Sequence, residues 1–211
     1  MEKDEHDLIV PYKHSRINKT DQVADMFDDI APRYDFLNRF LSAGIDIIWR
    51  KKALGYLKGK APLKLLDVAT GTADVAIMSE KILKPHSVIG IDISEGMLEI
   101  GRRKIAAAGL QNKIELIHGD SAGLPFENNS FDAVTVAFGV RNFQHLEKGL
   151  SEILRVLRPG GTLVVLEFSK PQTRAVKVFY DFYMQKIAAN VGRYFSKNNC
   201  AYEYLDESIR K

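Results

Sequence analysis

The chain has 211 residues, 45% of them hydrophobic and 27% charged, which excludes a disordered chain and fits one domain with room for a cap. Thirty Lys and Arg against twenty-seven Asp and Glu leave a net charge of +3, too mild for a nucleic-acid binder. The single cysteine, Cys200, excludes an internal disulfide framework and a Cys-rich zinc site. No stretch has the roughly 18 apolar residues of a spanning helix, and the polar start lacks a signal-peptide run. A cytoplasmic protein without a resident metal is expected.

Residues 1–62 read as a polar tail followed by a helical cap. Thr20 is the expected cap of a first helix with apolar positions Val23, Ala24, Phe27 and Ile30, and Pro32 is expected to end it. Tyr34, Leu37 and Leu41 form a second stripe, and Ile47, Ile48, Trp49, Ala53, Leu54 and Leu57 a third. Residues 63–170 alternate between two periods. Short runs of branched residues fall at Lys64–Val68, Ser87–Asp92, Ile114–His118, Asp132–Ala137 and Thr162–Phe168. Helical patterns fill the intervals at Asp74–Leu83, Glu95–Ala108 and Leu146–Leu157, the last stopped by Pro159-Gly160-Gly161. Such alternation predicts an α/β fold with a parallel sheet covered by helices on both faces. Residues 171–211 turn helical and aromatic again, with Phe179, Tyr180, Phe182, Tyr183 and Ile187 among basic residues.

The most informative segment is Leu65-Leu66-Asp67-Val68-Ala69-Thr70-Gly71-Thr72-Ala73-Asp74, a strand joined to a helix by a turn of small residues. Gly71 can take a positive φ, and backbone N–H groups at such a turn can bind ligand oxygens. Asp92 ends the next strand, where an acid about 20 residues past the turn accepts hydrogen bonds from ribose hydroxyls. Asp120 follows the third strand; its carboxylate can accept from an adenine amine while the Ser121 N–H donates to a ring nitrogen. A plain Asx-turn cap is the alternative for Asp120. Thr72 beside Gly71, Ile93 beside Asp92 and Ala137 at the end of the fourth strand complete the expected contacts on the strand ends. Ala69 and Ala73 stand where a pyrophosphate-binding loop carries glycine, so the ligand is expected to lack phosphate. S-adenosylmethionine is such a ligand.

With those residues the sequence resembles a class I S-adenosylmethionine-dependent methyltransferase, a Rossmann-like sheet with an N-terminal helical cap. Tyr34-Asp35-Phe36-Leu37-Asn38, Leu41-Ser42-Ala43-Gly44 and Trp49 are similar to the first signature of the ubiquinone/menaquinone biosynthesis C-methyltransferases. Arg155 to Ser169 resembles the second, and Phe138-Gly139-Val140-Arg141-Asn142 and Tyr202 to Arg210 also match. Asp46 departs from that pattern, which usually has histidine there, as do Leu37 and His145. The family also continues beyond its Tyr-x-Tyr-Leu motif into an antiparallel strand pair, so five strands of seven are expected within this chain, with the fifth exposed to self-association.

The resemblance implies methylation of a ring carbon of a prenylated quinol such as demethylmenaquinol. It places Arg141 as the stabiliser of a developing oxyanion, Asn142 beside the other hydroxyl and Tyr34 with Asp35 in a lid over the cofactor. A surface ion pair is the alternative for Arg141, and an exposed helix N-terminal position the preferred reading of His145. The aromatic stretch 179–195 reads as core or, from its basic flanks, as a lid or a surface in peripheral contact with a membrane through which the prenyl tail enters. Methylation of another phenol or amine, or an inactive cofactor-binding subunit, are the competing functions.

Overall fold

A computed structural model describes residues 9–13, 15–60, 64–168, 204, 207 and 208. The first helix, α1 (Lys19–Leu41), is longer than its sequence pattern suggests because it runs through Pro32. Proline removes one helical N–H bond, but Pro32 is exposed while Val23, Met26, Ala31 and Leu37 keep one buried face on both sides of it. Packing of that face outweighs the local break. The cap is Asn18, whose side chain accepts from the Asp21 N–H at 2.9 Å. Thr20 lies inside the first turn, its own N–H taken by Gln144 Oε1 at 2.9 Å, so a distant side chain satisfies a group that a local cap was expected to serve.

After α2 (Ile45–Gly55) the chain alternates as expected: β1 (Lys64–Val68), α3 (Asp74–Leu83), β2 (Ser87–Asp92), α4 (Glu95–Ala107), β3 (Ile114–His118), β4 (Phe131–Ala137), α5 (Leu146–Val156) and β5 (Leu157–Leu166). All four pairings are parallel, in the order β3-β2-β1-β4-β5. Side chains alternate between the two faces. Leu65, Val88, Ile114 and Ala133 pack with Leu54, Val75, Ala76, Leu98 and Ile105, whereas Leu66, Val68, Ile91, Val134 and Val136 pack with Phe143, Ile153 and Val156 on the other side. The order reverses at β1, between β2 and β4, and an open parallel sheet holds its ligand outside the strand ends at such a point.

The Pro159-Gly160-Gly161 triplet does not stop a helix; it lies within β5. Arg158, as the residue before proline, is biased to extended backbone, and α5 ends at Val156. Between the pairs Phe131↔Leu157 and Ala133↔Thr162, β5 advances five residues while β4 advances two. The triplet is thus a bulge in β5, an edge strand among the described residues, with Gly160 at φ 80°. The expected aromatic region 171–211 lies outside the described residues except for Tyr204, Glu207 and Ser208.

Candidate functional site

The turn after β1 is unusual in its backbone. Ala69, Gly71 and Ala73 all have positive φ, at 54°, 56° and 63°. Two alanines therefore occupy a region that disfavours a Cβ by roughly 1–2 kcal/mol each. The Ala69 methyl sits against the loop after β4, where a Cβ on Gly139 would lie 2.4 Å from it. Two strand ends meet there with no space between them.

This turn forms the floor of a cleft with about 660 Å³ of open space. Gly71, Asp92, Ile93, Asp120, Ser121, Ala137 and Tyr34 all line it, as the sequence suggests. The Asp92 carboxylate accepts from the Gly71 N–H at 2.7 Å and the Ser94 N–H at 2.9 Å, and burial pushes its pKa upward against those hydrogen bonds. Asp120 caps the short 3₁₀ turn Ser121–Gly123 through the Ala122 N–H at 2.9 Å. Its other oxygen meets the Thr20 hydroxyl at 3.4 Å on the cleft wall. The Asx cap and the cleft position thus coexist in one residue.

Two expected cofactor residues do not line the cleft. Asp67 lies beneath the turn, 1% exposed, and accepts from the hydroxyls of Thr70 at 2.7 Å and Thr135 at 2.6 Å. Burial raises its carboxyl from the ordinary 3.8 to about 6. The Thr72 side chain is turned away, donating to Asp35 at 2.6 Å and accepting from Lys104 Nζ at 3.0 Å. It belongs to a charge network between cap and core. Lys104 bridges Asp35 at 2.8 Å and Asp74 at 2.5 Å, Arg39 reaches Asp74 at 3.2 Å, and Arg50 pairs with Asp46. Asp46, the departure from the usual histidine, is thereby the buried partner of Arg50. Asp35 likewise serves this network, while its neighbour Tyr34 faces the cleft.

Arg141 stands outside the cleft lining. Its Nη1 donates to Glu167 Oε1 at 2.5 Å and to the Phe138 carbonyl at 2.7 Å. Its side chain is 11% exposed, so the pair is largely buried, not on the surface, and the Arg141 Nε has no hydrogen-bond partner among the described residues. Asn142 does line the cleft, and its Oδ1 accepts from the Tyr204 hydroxyl at 3.1 Å. Burial raises the Tyr34 phenol, partly offset by the charge of Arg141, so Tyr34 is a neutral donor. His145 is exposed at the start of α5.

The profile of the ubiE/COQ5 methyltransferase family matches residues 15–211. The chain is 48% identical over 202 residues to a demethylmenaquinone methyltransferase of Bacteroides fragilis, covering 96% of this chain and 82% of that one. A Thermus thermophilus protein of the same name is 47% identical over 184 residues, covering 87% and 83%. The chain belongs to the ubiE/COQ5 methyltransferase family. Among solved structures, a Methanococcus maripaludis protein assigned to the S-adenosyl-L-methionine-dependent methyltransferases superposes with TM-score 0.62 at 22% identity, over 86% of this chain and 84% of that one. The [4+2]-cyclase SpnF superposes with TM-score 0.61 at 24% identity, over 73% of this chain and 62% of its own. At those identities the likeness shows the fold alone, and a cyclase among the neighbours illustrates that fold does not fix chemistry.

Sequence reasoning missed several residues of this methyltransferase's cleft, among them Val23, Phe27, Met97, Phe143 and Gln144. Val23 and Phe27 were legible only as a helix stripe. That stripe faces the cleft because Asp28 docks α1 onto the start of α4, accepting from Ser94 Oγ at 2.5 Å and the Gly96 N–H at 2.8 Å.

Proposed function

We propose that this methyltransferase transfers the methyl group of S-adenosylmethionine to a ring carbon of a prenylated quinol, demethylmenaquinol being the substrate. The observation that carries the cofactor reading is the charge of the cleft. Its charged lining residues are Asp92 and Asp120, with no Lys, Arg or His among the described residues that line it. Phosphate groups would meet uncompensated carboxylates there. A nucleoside whose charge is positive fits.

When bound, S-adenosylmethionine supplies an electrophilic methyl group on a sulfonium, with no need of a metal. Asp92 would hold the ribose hydroxyls and Asp120 the adenine amine, with Ser121 beside it. Asp67 would add a negative field beneath the turn, and Gly71, Ile93 and Ala137 complete the cradle. Val23, Phe27, Ile91, Met97 and Phe143 wall the cleft with apolar surface. Excluding water favours a step in which opposite charges cancel.

The acceptor carbon becomes nucleophilic when the adjacent phenol O–H is lost or polarised. Asn142 and Tyr34 are the polar groups placed to orient the quinol hydroxyls, and Tyr204 fixes the Asn142 amide. Arg141 braces the loop that carries Asn142 from behind, without contact to the quinol, its guanidinium held by Glu167 and donating to the Phe138 carbonyl. The names of the relatives favour a naphthoquinol over a benzoquinol. Incubation with isotope-labelled S-adenosylmethionine and both reduced quinones, followed by mass spectrometry of the lipid extract, tests this. Label on the naphthoquinol ring is the expected result. Binding of the cofactor with label on neither quinol would support the inactive-subunit reading instead.

A further inference from the structure

An aromatic series leads from the cleft to the surface of α2. Phe138 lines the cleft and stacks on Phe168 with ring centres 4.7 Å apart. Phe168 meets the Trp49 ring edge-on at 6.1 Å, and Trp49 lies 6.5 Å from Phe138. The guanidinium groups of Arg50 and Arg141 sit over Phe138 and Phe168 at 5.3 Å and 5.5 Å, which braces the rings. On α2, Ile45, Ile48 and Trp49 have the spacing of a single helix face. That face is open, with Ile48 63% and Ile45 44% exposed, and Trp49 and Phe168 38% each.

We infer that Phe138, Phe168, Trp49, Ile48 and Ile45 form a track for the isoprenoid tail of the acceptor, leading it from the ring-binding end of the cleft out along α2. The inference rests on the prenylated-quinol reading above. A ring seated beside Asn142 and Phe138 must send its tail out of the cleft, and this series of neighbouring apolar side chains starts at a cleft residue and ends on exposed positions of α2. Burying Ile48 and Trp49 under a hydrocarbon chain removes apolar area from water on both partners. A polyprenyl chain suits the series better than a protein partner because the path begins inside the cleft. Arg50 is no obstacle, since its charge is taken up by Asp46.

Trp49 is the chain's single tryptophan, so its emission reports on this track alone. The full chain, saturated with S-adenosylhomocysteine, is titrated with geranylgeraniol, an isoprenoid alcohol without a quinol ring. The expected result is a saturable blue shift, with affinity weakened roughly tenfold by Ile48→Ser, a change at an exposed position whose melting temperature serves as the folding control. No shift, or a shift that Ile48→Ser leaves intact, would overturn the track. A response confined to phosphatidylglycerol vesicles would also overturn it and give the face to a bilayer. Because the probe carries no ring, this outcome is independent of whether methyl transfer to a quinol is observed.

Discussion

Two sets of carboxylates divide the work of this molecule. Asp35, Asp46 and Asp74, between the cap helices and the core, are each matched to a cation from Arg39, Arg50 or Lys104. Among the described residues Asp92 and Asp120, at the strand ends, have neutral donors: Gly71 and Ser94 for Asp92, and Ser121, Ala122 and Thr20 for Asp120. A carboxylate beside a guanidinium has its field cancelled and serves as a clamp. One held by backbone N–H groups keeps its orientation and still presents negative charge to a ligand. The first set positions α1 and α2; in the proposed reading the second faces the ligand that enters beneath them.

Removing a member of each set separates the two roles. Asp92→Ala deletes an acceptor of two backbone donors, and hydrogen bonds to charged groups contribute about 1.5–3 kcal/mol each. Cofactor affinity should fall at least about 100-fold by calorimetry; unchanged affinity would withdraw the ribose assignment. In the clamp, Arg50→Met leaves Asp46 buried without its cation, a loss of about 3–5 kcal/mol in urea unfolding. Adding Asp46→Asn, which keeps an acceptor for the Ser42 hydroxyl that now lies 2.8 Å from Asp46, should recover most of that loss. If the double variant is as unstable as the single one, the pair is not the source of the stability.

Asp67 belongs to neither set, having two hydroxyl donors and, among the described residues, no cation within hydrogen-bond reach. Its folded value of about 6 stands above the ordinary 3.8. Its protonated form is therefore favoured by folding. The corresponding stability is complete below about pH 4 and is lost as the pH rises through about 6, up to about 3 kcal/mol. Asp67→Asn should remove that slope and melt higher than the parent at neutral pH, while weakening the cofactor. An unaltered pH profile would show that Asp67 does not titrate there. The smallest effect is expected in the strained turn. Gly139→Ala should cost about 1–3 kcal/mol through its clash with Ala69, and Ala69→Gly in that background should restore the loss.

Most of the sheet could be read in advance because buried parallel strands are short branched runs bounded by turn residues. β1, β2 and β3 coincide with those runs. The failures lie where distant groups override local signals. Pro32 sits mid-helix because a buried face continues across it, and Pro159 sits in a strand because the ladder to β4 absorbs a bulge there. At the site, Gly71, Asp92 and Asp120 were visible because strand ends converge at the order reversal. The positive φ of Ala69 and Ala73 was hidden, since alanine carries no signal for it. The diversion of Thr72 and Asp35 into the clamp depends on Lys104, some thirty residues beyond Thr72 and on another helix. Glu167 as the holder of Arg141 depends on β5 ending beside the turn after β4.

A cleft whose described lining carries acids and no cations is expected to select a positively charged nucleoside over a phosphorylated one. Calorimetric titration of the full chain at neutral pH, with S-adenosylmethionine in one series and NADH in another, addresses it directly. Saturable heat with S-adenosylmethionine and none with NADH is the predicted outcome. Tight binding of NADH by a protein indifferent to S-adenosylmethionine would contradict it.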